Sequence, residues 1–145
     1  MNIMLMITKD VKGKQYKQLM AYLMRNCDRF AFVENGQYSD IRDERLEYIE
    51  QLTLDISNHL IEKKIQKEWA TTQLTVDTAN VFYYVLNNET KIFLQTYSSS
   101  LFNWSHPELP EDLMFYRGDQ CVLAVCSHEK FFYVVEELWI DFSRV

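Results

Sequence analysis

Ser127, His128 and Glu129 stand side by side after an apolar run, and they form the chain's most concentrated group of catalytic residue types. Imidazole titrates near neutrality and works as a general base when a carboxylate holds its second nitrogen, so a small hydrolase could use His128 with Glu129 or Asp112. Successive residues on a strand point to opposite sides, and Ser127, His128 and Glu129 can cooperate only if they lie in a turn. The plainer reading is a strand-ending turn in which Ser127 or His128 bonds nearby backbone. Metal chemistry finds less material. His59, His106 and His128 lack the close His/Cys pairings of structural zinc sites. Cys126 and His128, two apart, would share a strand face and could ligate one ion, but no two further ligands stand out. Neither a metal nor a cofactor is expected.

The other distinctive stretch is residues 104–112, Trp-Ser-His-Pro-Glu-Leu-Pro-Glu-Asp. Two prolines restrict its backbone, so Glu108, Glu111 and Asp112 would be displayed from a stiff loop at small entropic loss on binding. With Trp104 as an apolar anchor, these four residues are the candidate partner-binding surface. Alternatively, Pro110 starts a turn that Asp112 caps ahead of a strand.

Charge supports the binding reading. The net charge is −6, and residues 1–73 hold 11 Lys/Arg against 11 Asp/Glu while residues 74–145 hold 4 against 10, so the whole excess lies in the second half. Such a surface repels nucleic-acid backbones and anionic lipid and steers a basic protein toward itself. The composition is 48% hydrophobic and 25% charged, with three Gly and two Pro, which leaves no material for a Gly-rich phosphate cradle or a flexible linker. A length of 145 residues suits a single domain spanning 1–145.

The elements that must position these residues follow from hydrophobic spacing. Tyr16, Leu19, Met20, Leu23, Met24 and Cys27 make one stripe of a helix over residues 14–27. Leu46, Ile49, Leu52, Ile56, Leu60 and Trp69 continue at helical steps, predicting a second helix over 42–68 with Asp40 or Asp43 as candidate caps and Lys63, Lys64 and Lys67 at its C-terminal end; such a length leaves room for a break near 53–57. Residues 29–34 alternate as a strand, followed by an Asn35-Gly36 turn, and residues 3–7 suit an edge strand or the start of the helical segment, with the strand favoured. Fourteen of the 21 aromatic residues come after Gln73. Residues 81–86 and 92–97 are β-branched and aromatic runs around Asn87-Asn88-Glu89-Thr90-Lys91, which predicts a hairpin. Residues 113–117 and 121–126 predict another across Gly118-Asp119, and 131–135 extends the sheet. The expected class is α+β: two N-terminal helical segments packed on a mainly antiparallel sheet built from C-terminal hairpins. Its second face, rich in Tyr and Phe, would be open to a ligand.

The run Leu-Phe-Asn-Trp, then Pro-Glu-Leu-Pro-Glu-Asp-Leu-Met-Phe-Tyr-Arg and Ser-His-Glu-Lys, resembles a family of small uncharacterised proteins of Bacillus and related Firmicutes, some labelled as sporulation proteins. The resemblance covers about the last 45 residues, with an echo at Tyr22 and Asn26-Cys27-Asp28. It implies no activity, cofactor or catalytic residue. After Glu68-Trp69 this chain has Ala70-Thr71, where the family has Pro-Gly.

Cys27, Cys121 and Cys126 leave an odd thiol if any two pair, so all three are expected free. No signal peptide is legible at the start and no apolar run suffices to span a membrane, which makes the cytoplasm the expected location. The glycosylation-type triplets at Asn88 and Asn103 are then chance matches. Together these features favour a non-enzymatic acidic interaction protein, of an immunity type or phage-associated, that masks a basic protein partner. The alternatives are the hydrolase built on His128 and a small-ligand binder using the aromatic sheet face. The oligomeric state is left open by the residues.

Overall fold

A computed structural model describes residues 3–35 and 42–144. The chain runs β1 (Met4–Ile7), α1 (Lys14–Asn26), β2 (Arg29–Asn35), α2 (Arg42–Leu52), a 3-10 turn (Leu54–His59), β3 (Leu60–Gln66), β4 (Glu68–Trp69), β5 (Thr72–Gln73), β6 (Ala79–Val85), α3 (Asn88–Tyr97), β7 (Glu111–Arg117), β8 (Gln120–Cys126), β9 (Phe131–Val135) and α4 (Glu136–Ser143). Seven strands form one antiparallel sheet in the order β1-β9-β8-β7-β2-β6-β3, and β4 pairs with β5 in a separate small hairpin. The α+β class read from the residues is the one observed. Among the described residues, no helix is long and apolar enough to cross a membrane.

β2 lies between β6 and β7, and its alternation sorts the core into two faces. Phe30 and Phe32 meet Phe82, Tyr84 and Phe115 on one face, with Phe30 stacked on Tyr84 at 5.3 Å between ring centroids. Tyr16, Leu19 and Leu23 of α1 cover these rings, and α3 packs against α1. Each apolar side chain buried there contributes roughly 1.5–3 kcal/mol relative to exposure. Gly13 permits the turn into α1, since its φ of +65° is left-handed backbone that a side chain disfavours. Gly118, at φ +59°, does the same between β7 and β8, in the second hairpin expected from the sequence.

Two expectations are corrected. The second helix ends at Leu52, where the Thr53 hydroxyl donates to the Ile49 carbonyl at 2.8 Å. Residues 60–66 are strand β3 on β6, not helix, so Lys63 and Lys64 lie on a sheet edge rather than at a helix C-terminus. A segment reading Leu-Ile-Glu-Lys-Lys-Ile-Gln is compatible with either period, and pairing with β6 decides it. Residues 92–97 belong to α3, not to a hairpin with 81–86. The supposed hairpin turn is a helix start: Asn87 Oδ1 accepts the Thr90 N–H at 3.1 Å while Thr90 Oγ1 accepts the Asn87 N–H at 2.9 Å. That reciprocal capping satisfies two donors that a helix otherwise leaves unpaired. The expected Asn35-Gly36 turn and the Asp40 cap involve residues outside those described.

The second face also differs from expectation. It carries mainly Ala31, Val33, Ala79, Val81, Met114 and Ala124, covered by Leu74 and partly by Trp69 from the β4–β5 segment. Most large rings instead face the helices, and Tyr83 and Tyr116 remain half-buried on the second face at 6.0 Å from one another.

Candidate functional site

The start of β7 and the turn between β8 and β9 meet at Asp112. Its φ of +57° puts a non-glycine residue in left-handed backbone, which needs surrounding contacts to hold it. Those contacts are a closed set of hydrogen bonds. Asp112 Oδ1 accepts the Ser127 N–H at 2.9 Å, Oδ2 accepts the Trp69 indole N–H at 2.9 Å, and the Asp112 N–H donates to Ser127 Oγ at 3.1 Å. Ser127 Oγ in turn donates to the Trp104 carbonyl at 2.5 Å. Burial pushes the Asp112 carboxyl up, against the donors that hold its charged form.

The catalytic candidates are thereby separated in role. The Ser127 hydroxyl, only 3% exposed, spends its proton on a main-chain carbonyl and is not presented as a nucleophile. The Asp112 carboxylate bonds Ser127 and Trp69 rather than His128. His128 is exposed, with Nδ1 3.9 Å from Cys126 Sγ, and Glu129 is also exposed. Asp112, Cys126 and His128 do converge: one ligand atom from each lies within 4.8 Å of the others. Burial pushes the Cys126 thiol up, and the Asp112 charge adds to this. The spacing of Cys126 and His128 marked two of these groups in the sequence. Asp112 joins them only through the β7–β8 pairing.

The proposed binding loop is sorted as sharply. Trp104 has no exposed surface: its indole N–H donates to Tyr16 Oη at 2.8 Å and its ring stacks on Phe32 at 6.4 Å. It is a core residue and not a surface anchor, because its ring fills space between the sheet and α3, where it also meets Phe93. Asp112, 1% exposed, is likewise unable to reach a partner. Glu108 is exposed as expected, and Glu111 is half-buried.

The loop leans on α2, an association that no residue spacing announces. Arg45 donates from Nε and Nη2 to Glu34 Oε1 at 3.0 and 2.7 Å, and from Nη1 to the Pro107 carbonyl at 2.6 Å. Its guanidinium lies 5.0 Å from the Tyr48 ring centroid, and the Tyr48 hydroxyl donates to the Glu108 carbonyl at 2.5 Å. Glu34 is buried on β2, so this ion pair is largely withdrawn from water. Glu111 feels the same group of charges. Burial raises its carboxyl to about 7, the neighbouring Asp112 and Glu34 carboxylates add to the rise, and Arg45 opposes it.

α2 also turns Asp43, Glu44, Glu47 and Glu50 to solvent. A groove of about 580 Å³ lies beside it, lined by Tyr48, Leu52, Tyr97, Asn103, Ser105 and Glu108 among others. Tyr48 and Tyr97 are 42% and 40% exposed, so the groove offers aromatic as well as acidic surface. The even charge balance of residues 1–73 hid this helix, because its acids are offset in the count by lysines on other elements.

Comparison of the chain with protein-family models, curated proteins and solved structures finds no match.

Proposed function

We propose that the chain is a non-enzymatic interaction protein that receives a basic segment of a protein partner on α2 and the adjoining groove. The observation that carries this reading is the grouping of exposed Asp43, Glu44, Glu47 and Glu50 on the helix whose Tyr48 borders the groove with Glu108. Cationic side chains would meet the acids, and their apolar stems would lie against Tyr48 and Tyr97, whose faces attract cations. Arg45 is tied to Glu34 and Pro107, so the helix's described cation is turned toward the loop and not toward an approaching partner. Masking a basic partner in this way suits an immunity-type or phage-associated role. The net charge of −6 argues in the same direction against nucleic acid.

The test uses the full chain and a lysine- and arginine-rich peptide of defined sequence, with binding measured by calorimetry over a series of salt concentrations. Charge reversal at Glu44, Glu47 and Glu108 should weaken binding and flatten its salt dependence. Reversal of half-buried Glu136 and exposed Glu137 on α4 should do so much less. Equal losses in the two variants would show undirected charge attraction and overturn the assignment of the surface.

A further inference from the structure

We infer that Asp112, Cys126 and His128 form a binding site for a zinc-type divalent ion, with a fourth position left for water or another donor. This inference is independent of the acidic groove. The three residues offer a carboxylate, a thiolate and an imidazole, a set that favours zinc or cobalt over the all-oxygen shells of calcium and magnesium.

The distances suit it. A tetrahedral ion bound at about 2.3 Å from sulfur and about 2.0 Å from nitrogen holds those two atoms roughly 3.5 Å apart. Cys126 Sγ and His128 Nδ1 are already 3.9 Å apart, and all three ligand atoms fall within 4.8 Å. The remaining adjustment falls to His128, the exposed member, whose ring has room to rotate toward the two buried groups. Asp112 is held by the donors it has: the Ser127 and Trp69 N–H groups each take one lone pair of a different oxygen, leaving each oxygen a lone pair for the ion. Such outer bonds orient ligands in known metal sites. Asp112 sits in left-handed backbone, and its carboxylate reaches the Ser127 N–H at the β8–β9 turn.

Binding is a proton exchange. The Cys126 S–H bond breaks, the sulfur keeps the electron pair and bonds the metal, and the proton passes to buffer. Neither oxidation nor reduction occurs. With three protein ligands the ion keeps an open coordination position, as catalytic zinc does and closed structural zinc does not.

Cobalt(II) is the probe, titrated into the full-length protein under reducing conditions. The expected result is a near-ultraviolet cobalt–thiolate charge-transfer band that zinc displaces. Cys126→Ser should abolish the band, Cys121→Ser should leave it, and His128→Ala should weaken affinity by at least the roughly 10–100-fold that outer-shell substitutions cost. X-ray absorption of the zinc-loaded wild-type chain requires no variant to fold, and should show one sulfur neighbour at about 2.3 Å. A band that survives Cys126→Ser, or a zinc shell without sulfur, would overturn the inference.

Discussion

Replacing Glu111 by Gln tests whether the charges beneath the 104–112 loop oppose one another as their positions require. The Glu111 carboxyl lies at about 7 in the folded chain against an ordinary 4.5, because burial and the Asp112 and Glu34 carboxylates disfavour its charge more than Arg45 supports it. A displacement of that size corresponds to about 3 kcal/mol. Since the folded pKa is raised, the folded state binds more protons than the unfolded one between the two values. The side chain's contribution is therefore intact below about pH 4.5 and is lost as pH rises through about 7. Gln resembles the protonated acid and cannot ionise. The Glu111→Gln variant should match the wild type near pH 4 and exceed its unfolding free energy by up to about 3 kcal/mol at pH 8. Urea unfolding of both proteins across that range, compared as a difference at each pH, isolates Glu111 from the other titrating groups. Parallel stability profiles, or a variant that is the less stable one at pH 8, would refute the electrostatic account.

Arg45→Met should destabilise by about 3–5 kcal/mol in the same denaturation assay, since it leaves the Glu34 carboxylate buried without its cation. The loss should shrink when Glu34→Gln is added, which a double-mutant cycle measures. Asn87→Ala should cost about 1 kcal/mol by removing the cap of α3, seen as a lowered urea midpoint with unchanged slope. All three thiols are free, and burial raises Cys27 to about 12 and Cys121 to about 11. Alkylation of the native protein at pH 8 should accordingly be slow, with three labels per chain found by mass spectrometry after unfolding.

Where the sequence could be read correctly, the local pattern and the tertiary demand agreed. The stripe from Tyr16 to Cys27 belongs to a helix whose buried face it is, and Gly118 marks a turn that requires positive φ. Residues 60–66 and 92–97 misled for opposite reasons. The first has a strand's alternation too weak to be distinguished without its partner β6, and the second has a strand's composition behind a cap made by Asn87 and Thr90. Trp104 carried a binding residue's chemistry but a core residue's position, and that position depends on Tyr16, far away in the chain. The Arg45–Glu34 pair and the approach of Asp112 to Cys126 exist only once β2, α2, β7 and β8 are assembled, so no spacing could announce them.

The sheet order carries a further consequence for how the chain is made. β1 has a single neighbour in the sheet, and that neighbour is β9, with Met4 opposite Val135 and Ile7 opposite Phe132, so the pairing spans nearly all of the described residues. A nascent chain must therefore leave Met4–Ile7 without its ladder while everything between is translated. Met4 and Met6 stay substantially exposed even after folding, so this waiting strand is only moderately sticky, with Leu5 and Ile7 as its core-facing residues. Pairings this distant in sequence pay their loop-closure entropy before they gain contacts, which slows folding. Docking of β1 on β9 is thus a closure that the whole intervening chain must permit, and one that local helix formation cannot hasten.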